Sequence, residues 1–328
     1  ELAMINDVFL DIDLSRILQR QVSLNTLDIQ DAQLSLPLDP ANPDGERIRI
    51  QKLSGRIVIT ESVIEIVKAK ASMAGLDVNM TGTLIRDQET ESVEDEPREL
   101  VEEEWRSHLK TVFGWVNEYR FAGASPQLSI DFRGDLSDLA TMNIKVELEA
   151  EQFRKKGQPY EGCVLELIAD YRGAEEKATI ESIRILDQKG ELSLEGAWDG
   201  ETNELNFDLS SDADASGIIA MISNDPRLRE IVFFKSPEIE VKGAINVSQI
   251  NQGEAGFPGS LIGNFRTERF VSRGEVFSGL DFGFGLAGEK IYLRNLRLDH
   301  KSGVAFLNLK YEPGLGGETL QYQTEIKL

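Results

Sequence analysis

Two histidines, His108 and His300, and one cysteine, Cys163, are the whole imidazole and thiol inventory of this 328-residue chain. A structural zinc shell needs four such ligands at close spacing, and a thiol nucleophile needs a neighbouring base. Neither pattern occurs. His108 falls among the surface positions of a helical pattern, and His300 sits at the turn "LDHKSG". "DADASG" at 212–217 starts like a calcium loop, through Asp212, Asp214, Ser216 and Gly217. The twelfth position, where a bidentate Glu should close the shell, is Ser223. The stretch reads instead as a helix cap. "GFGLAG" at 283–288 spaces Gly283, Gly285 and Gly288 like a dinucleotide fingerprint. That fingerprint requires a helix to open behind it, and "EKIYLRNLRLD" is a strand. No serine stands in a nucleophile-elbow context, and most carboxylates alternate outward on strands. The expectation is a protein with no catalytic residues, no metal and no cofactor.

The totals narrow the partners. Fifty-seven acidic and 35 basic residues give a net charge of −22. Such an excess repels phosphate backbones, and no Lys/Arg stripe stands out to offset it, so nucleic acid is not an expected partner. With 41% apolar and 28% charged residues the chain is a folding one. A single cysteine forbids an internal disulfide. No run reaches the roughly 18 apolar residues of a membrane span. The opening "ELAMINDVF" has no initiator Met and looks like an excised segment.

What must position any site is a succession of short alternating strands. In "PQLSIDFRG", Leu128, Ile130 and Phe132 share one face. In "MNIKVELEA", Met142, Ile144, Val146 and Leu148 do the same. Period two means one apolar and one wet face for each strand, and Gly, Asn and Asp between runs supply hairpin turns. About eighteen to twenty such strands are expected, in a mainly antiparallel sheet.

Two segments break the pattern. After an acidic loop, "RELVEEEWRSHLKTVFGWVNEYRFA" puts Trp105, Leu109, Val112, Val116 and Tyr119 in one helical stripe, predicting a helix over 98–122. "DADASGIIAMISNDPRLREIVFF" predicts two short helices over 213–234, with Asp225 and Pro226 opening the second.

The chain also repeats itself. "EQFRKKGQPYEG" at 151–162 and "ERFVSRGEVFSG" at 268–279 share Glu, aromatic, Gly, aromatic and Gly in register, 117 residues apart. Ser-Pro recurs at 125 and 236, each time opening a strand after a helical segment. "LSG" at 53–55 is a third, weaker echo, and meanders close alike in "GLDVNMTGTL", "GELSLEGAW" and "GVAFLNLKY". Repetition on this scale marks an architecture extended by adding units. The units are expected at 1–97, 98–212 and 213–328, or as one continuous domain. The repeated phrase is expected to be a structural joint, with packed aromatics and glycines at bends.

An area argument then points to function. Eighteen strands at about 4.8 Å make a ribbon of roughly 85 Å, and two helical segments cannot cover its apolar face. The sheet must curl, hold an apolar ligand, or both. Helix, Ser-Pro strand and repeated meanders such as "ASMAGLDVNMTGTL", preceded by "DVFLDIDLSRILQRQVSLNTLDIQDAQLSL", resemble the AsmA-like family. The family includes the TamB-type, bridge-like periplasmic β-groove proteins of Gram-negative bacteria. The resemblance implies a long, strongly curved β-groove with helices on or capping its apolar face. It also implies a periplasmic location, an inner-membrane anchor, and a non-enzymatic role in carrying phospholipid or assisting outer-membrane assembly. The lipid-lining residues expected from alternation are Leu128, Ile130, Phe132, Met142, Ile144, Val146, Leu148, Leu192, Leu194, Trp198, Phe207, Ile239 and Val241. The Trp105 helix would be a core plug or a lid. The competing reading is an assembly module with a closed apolar core, acting through protein contacts. A carbohydrate-active solenoid ranks last, because aromatics are only 7% and follow the long repeat.

Overall fold

A computed structural model describes residues 3–4, 7–12, 24–37, 47–60, 62–73, 75–85, 118–135, 138–157, 160–222, 230–249, 257–314 and 317–327. These residues are mostly strand, as alternation requires. The chain divides into two compact units, Glu1–Glu151 with Asp170–Glu175, and Gln152–Ala169 with Glu176–Leu328. Among the described residues no helix is long and apolar enough to cross a membrane.

In chain order the first strands are β1 (Ala3–Met4), β2 (Asp7–Ile12), β3 (Leu24–Pro37), β4 (Arg47–Ile59) and β5 (Val63–Met73). Next come β6 (Leu76–Ile85), β7 (Tyr119–Phe121), β8 (Gln127–Asp135) and β9 (Asn143–Lys155). Both β1 and β2 pair with β3, and β3, β4, β5 and β6 follow in antiparallel hairpin order. β6 then pairs with β8 in parallel, and β8 with β9 antiparallel.

The second set is β10 (Gly162–Arg172), β11 (Lys177–Asp187), β12 (Glu191–Asp199), β13 (Glu204–Ser211), helix α1 (Ala215–Ile222), β14 (Ile231–Phe233) and β15 (Glu238–Asn246). It continues through β16 (Phe257–Thr267), β17 (Phe270–Ser272), β18 (Glu275–Gly288), β19 (Lys290–His300), β20 (Gly303–Gly314) and β21 (Gly317–Lys327). From β11 the antiparallel order is β11-β12-β13-β15-β16-β18-β19-β20-β21. Each unit is an open sheet.

The sequence repeat is a topological repeat. β8 and β15 both start just after a proline, Pro126 or Pro237, and these are the largest fully buried side chains among the described residues. Proline has no N–H to give a ladder, so a strand's first position or the residue before it is where it fits. A 3-10 turn comes after each strand, Leu139–Thr141 after β8 and Val247–Gln249 after β15.

The parallel pairing of β6 with β8 has a simple cause. "GLDVNMTGTL" and "GELSLEGAW" make β6 the counterpart of β12. In the second unit β13 stands between β12 and β15 and is antiparallel to both, so β12 and β15 run the same way. In the first unit no strand stands between β6 and β8, and two like-directed strands meet directly.

Three expectations need correction. Tyr119 is not helical: Tyr119–Phe121 is β7. Aromatics flank Arg120 at period two, and Gly123 and Pro126 just beyond oppose helix continuation. Ile231–Phe233 is likewise a strand, β14, paired antiparallel with β17 through Ile231–Ser272 and Phe233–Phe270. Its β-branched and aromatic side chains gain more from that ladder and from ring contact than from a helix turn. Met142 lies just before β9 rather than in it. The first of the two short helices stands as α1, capped at its start by Asp214, whose carbonyl accepts the Ile218 N–H at 2.9 Å. Asp225 and Pro226, with Trp105, Leu109, Val112 and Val116, lie outside the described residues.

Candidate apolar binding face

In antiparallel sheets, residues directly opposite each other point to the same side. The ladders therefore assign faces without ambiguity. In the second unit one row reads Ile180, Gly196, Phe207, Gly243, Leu261, Leu286, Ile291, Tyr311 and Leu320 from β11 to β21. The row beside it reads Ile183, Leu194, Leu209, Val241, Gly263, Phe284, Leu293, Leu309 and Tyr322. Neither contains a charge, and at about 4.8 Å per strand each runs roughly 38 Å. Leu192, Leu194, Trp198, Phe207, Ile239 and Val241 all fall on this face.

The first unit does the same on a smaller scale. Leu128, Ile130 and Phe132 stand opposite Leu148, Val146 and Ile144 on β9 and beside Val78, Met80 and Gly82 on β6. Met142, one residue outside the strand, packs its side chain over Gly134.

The two long rows of the second unit are apolar but not covered. No member of either long row is buried, and Ile291, Leu320 and Tyr322 are more than 40% exposed. The buried apolar side chains among the described residues lie elsewhere: Val78, Leu76, Ala32 and Ala150 on strands of the first unit, and Phe153, Tyr160, Ala213, Ala215 and Phe270 at joints, each at most 6% exposed. Rings lie over glycines, Phe132 over Gly82 and Phe207 over Gly243. That keeps the floor shallow and apolar.

β-bulges hold the face constant along long strands. Asn295 sits in the register shift between Leu293 and Leu296 with a left-handed φ of 53°. Its N–H donates to Asn308 Oδ1 at 2.7 Å. A bulge adds one residue, restores the apolar side chain to the same side, and increases local twist.

The repeated phrase is the joint expected. Phe153 and Tyr160 rings lie 6.4 Å apart, and their counterparts Phe270 and Phe277 stack at 4.9 Å. Gly157 and Gly274 hold φ of 78° and 81°, a left-handed turn that glycine adopts without strain. Gly162 passes under the Phe153 ring so closely that a Cβ there would lie 2.1 Å from it. β14 ties the second joint to the face, since Phe233 is 6.1 Å from both Phe265 and Phe270.

Burial holds the Tyr160 phenol above its ordinary value, and the nearby Asp187 and Asp214 carboxylates push the same way. The unfolded chain releases that proton first. Stability from this group is thus complete at neutral pH and falls as pH rises above 10.0, the unperturbed value. Tyr160→Phe should flatten the alkaline limb of a stability–pH curve measured by urea unfolding, while leaving neutral stability little changed. A parallel limb in both proteins would show that Tyr160 does not drive it.

The carboxylates of the calcium-like stretch serve the protein itself. Asp212 Oδ1 accepts the Glu191 N–H at 2.7 Å, and Asp214 pairs with Lys189 at 2.8 Å. Gly283, Gly285 and Gly288 lie in β18, which turns into another strand. Phe265, Phe282 and Phe284 join the face, although the glycines of "GFGLAG" are its more conspicuous feature. The signal available was the period-two spacing of Phe282, Phe284 and Leu286.

The wet side also corrects an expectation. A basic stripe does exist: register places Arg49 and Arg56 of β4 with Lys68 and Lys70 of β5 on the polar face of the first unit. Between residues 47 and 73 six basic side chains face two acidic ones, against the trend of a −22 chain.

No family model, no curated protein and no solved structure matches this chain.

Proposed function

We propose that this chain is a non-enzymatic lipid-carrying module whose open apolar face holds the acyl chains of phospholipid. One observation carries the reading: two uncharged rows cross nine neighbouring strands yet remain half-exposed. Water against so continuous an apolar strip is unfavourable by about 25 cal/mol per Å², and hydrocarbon relieves that cost. The strip's roughly 38 Å exceeds the ~15 Å depth of one leaflet's acyl chains, half of a 30 Å hydrocarbon core. It has room for chains laid in succession across the strands. The family resemblance supports the same role and adds a setting: the periplasm of a Gram-negative envelope, an inner-membrane tether outside this segment, and service to outer-membrane lipid homeostasis or assembly.

A second reading draws on β21. Its Leu320, Tyr322 and Ile326 are 56–70% exposed, a profile suited to a protein partner that extends the sheet there. In that case the module assembles rather than carries.

The deciding experiment is organic extraction of protein purified without detergent, followed by mass spectrometry beside an equally acidic control protein. Near-stoichiometric phospholipid is the expected result. An empty extract, from protein that also takes up no lipid from vesicles, would leave the assembly reading.

A further inference from the structure

The polar side of the first unit carries a feature that lipid holding does not use. Along β4 and β5, Arg49, Lys52, Arg56, Lys68 and Lys70 project on or beside one face. Lys52 sits at φ 53° in the bulge between Gln51 and Ser54, which lifts it out of the strand's regular alternation. Arg56 is committed: its Nε and Nη2 donate to the two carboxylate oxygens of Asp28 at 2.8 and 3.0 Å. Lys68 stands directly beside Arg56, and Lys70 beside Ser54. Lys68 and Lys70 are exposed and make no ion pair among the described residues.

Both lysines edge a hollow of about 420 Å³ on this face, floored by Asn79, Thr81 and Ser129. Two carboxylates also line it, and both are engaged. Asp131 accepts the Thr81 hydroxyl at 2.6 Å, and Glu147 pairs with Lys145 at 2.9 Å. Three cations, Lys68, Lys70 and Lys145, stand against those two carboxylates, a net single positive charge above amide and hydroxyl groups, in a space sized for a headgroup. Charges separated by more than about 8 Å are largely screened at physiological salt. The chain's overall acidity therefore does not cancel a local patch, and each exposed lysine near an anionic bilayer strengthens binding about fivefold.

We infer that the polar face of β4–β5, centred on Lys68 and Lys70, docks on anionic phospholipid headgroups at a bilayer surface. Cations spread over two neighbouring strands can meet several phosphates of a bilayer surface at once, whereas an acidic peptide would be gripped along a line. The inference rests on the lipid-carrying reading and gives it a loading position: the apolar face holds chains while the opposite face keeps the module at the membrane.

The test is co-sedimentation of the full chain with vesicles of phosphatidylcholine alone and of equimolar phosphatidylcholine and phosphatidylglycerol. The expected result is binding to the anionic vesicles only, lost in high salt. Lys68→Gln with Lys70→Gln should weaken it about 30-fold, while Lys68→Arg with Lys70→Arg keeps it. Lipid extracted from the Gln variant should match that of the parent. If lipid is absent from both proteins but vesicle binding still depends on these lysines, the carrying reading fails and the docking face stands. Equal binding to neutral vesicles, or an unchanged Gln variant, overturns the docking face. So does lysine-dependent binding of polyglutamate or an oligonucleotide without binding of vesicles.

Discussion

Protein carrying Leu194→Asp, Leu209→Asp and Val241→Asp should emerge from a detergent-free purification without lipid. The three residues are consecutive members of one row on β12, β13 and β15. A carboxylate forced against hydrocarbon costs about 2.5–3.5 kcal/mol at the centre of a bilayer. Three in sequence therefore shift lipid occupancy by several orders of magnitude. Folding should survive, because all three positions are half-exposed and their carboxylates can reach water in the empty state. Ser193 and Ser210 provide the control, since they are opposite each other on the other side of the same strands. Ser193→Asp with Ser210→Asp should leave the extract unchanged. Phospholipid persisting in the triple variant at the parent's level, with circular dichroism intact, would remove this face from consideration.

The other large effect is expected at the joint. Phe153 is 3% exposed, and its loss to alanine should cost about 3–5 kcal/mol of stability. Gly162→Ala should cost about 1–3 kcal/mol by overpacking, because the new methyl meets the Phe153 ring. The two changes touch the same space, so they should not add. With the ring gone, the methyl has room, and Gly162→Ala in the Phe153→Ala background should be close to neutral. Urea unfolding of the four proteins measures this coupling. Strict additivity would mean that ring and glycine do not pack as a unit, and that the repeated phrase needs another explanation.

Much of this architecture was legible because strand alternation and turn residues agree along most of the chain. "PQLSIDFRG" and "MNIKVELEA" state their faces outright, and the ladders place Leu128 opposite Leu148 and Phe132 opposite Ile144. The repeat was legible for the same reason that it folds: a ring over a glycine and a glycine at positive φ can be spelled in few ways. What failed did so for local reasons. Tyr119–Phe121 and Ile231–Phe233 are three-residue strands, too short for period two to compete with the helical pattern running into them. β14 in particular is stabilised by Phe270, distant in sequence, which no local pattern reveals. The basic stripe was hidden differently. Its members are spread over two strands, and only the register that sets Arg56 beside Lys68 makes them one patch.

The parallel junction of β6 and β8 has a consequence for how this protein can be divided. Nine residue pairs, from Asp77–Gln127 to Ile85–Asp135, hold the two strands together across the gap in sequence between them. A break in the chain between Ile85 and Tyr119 would cut none of the described strands and leave every described residue of both apolar faces in place. Two polypeptides, one ending beyond β6 and one starting ahead of β7, would each present a complete edge to the other. The seam is thus a natural site for a split protein, one whose halves report by their reunion that the sheet has formed.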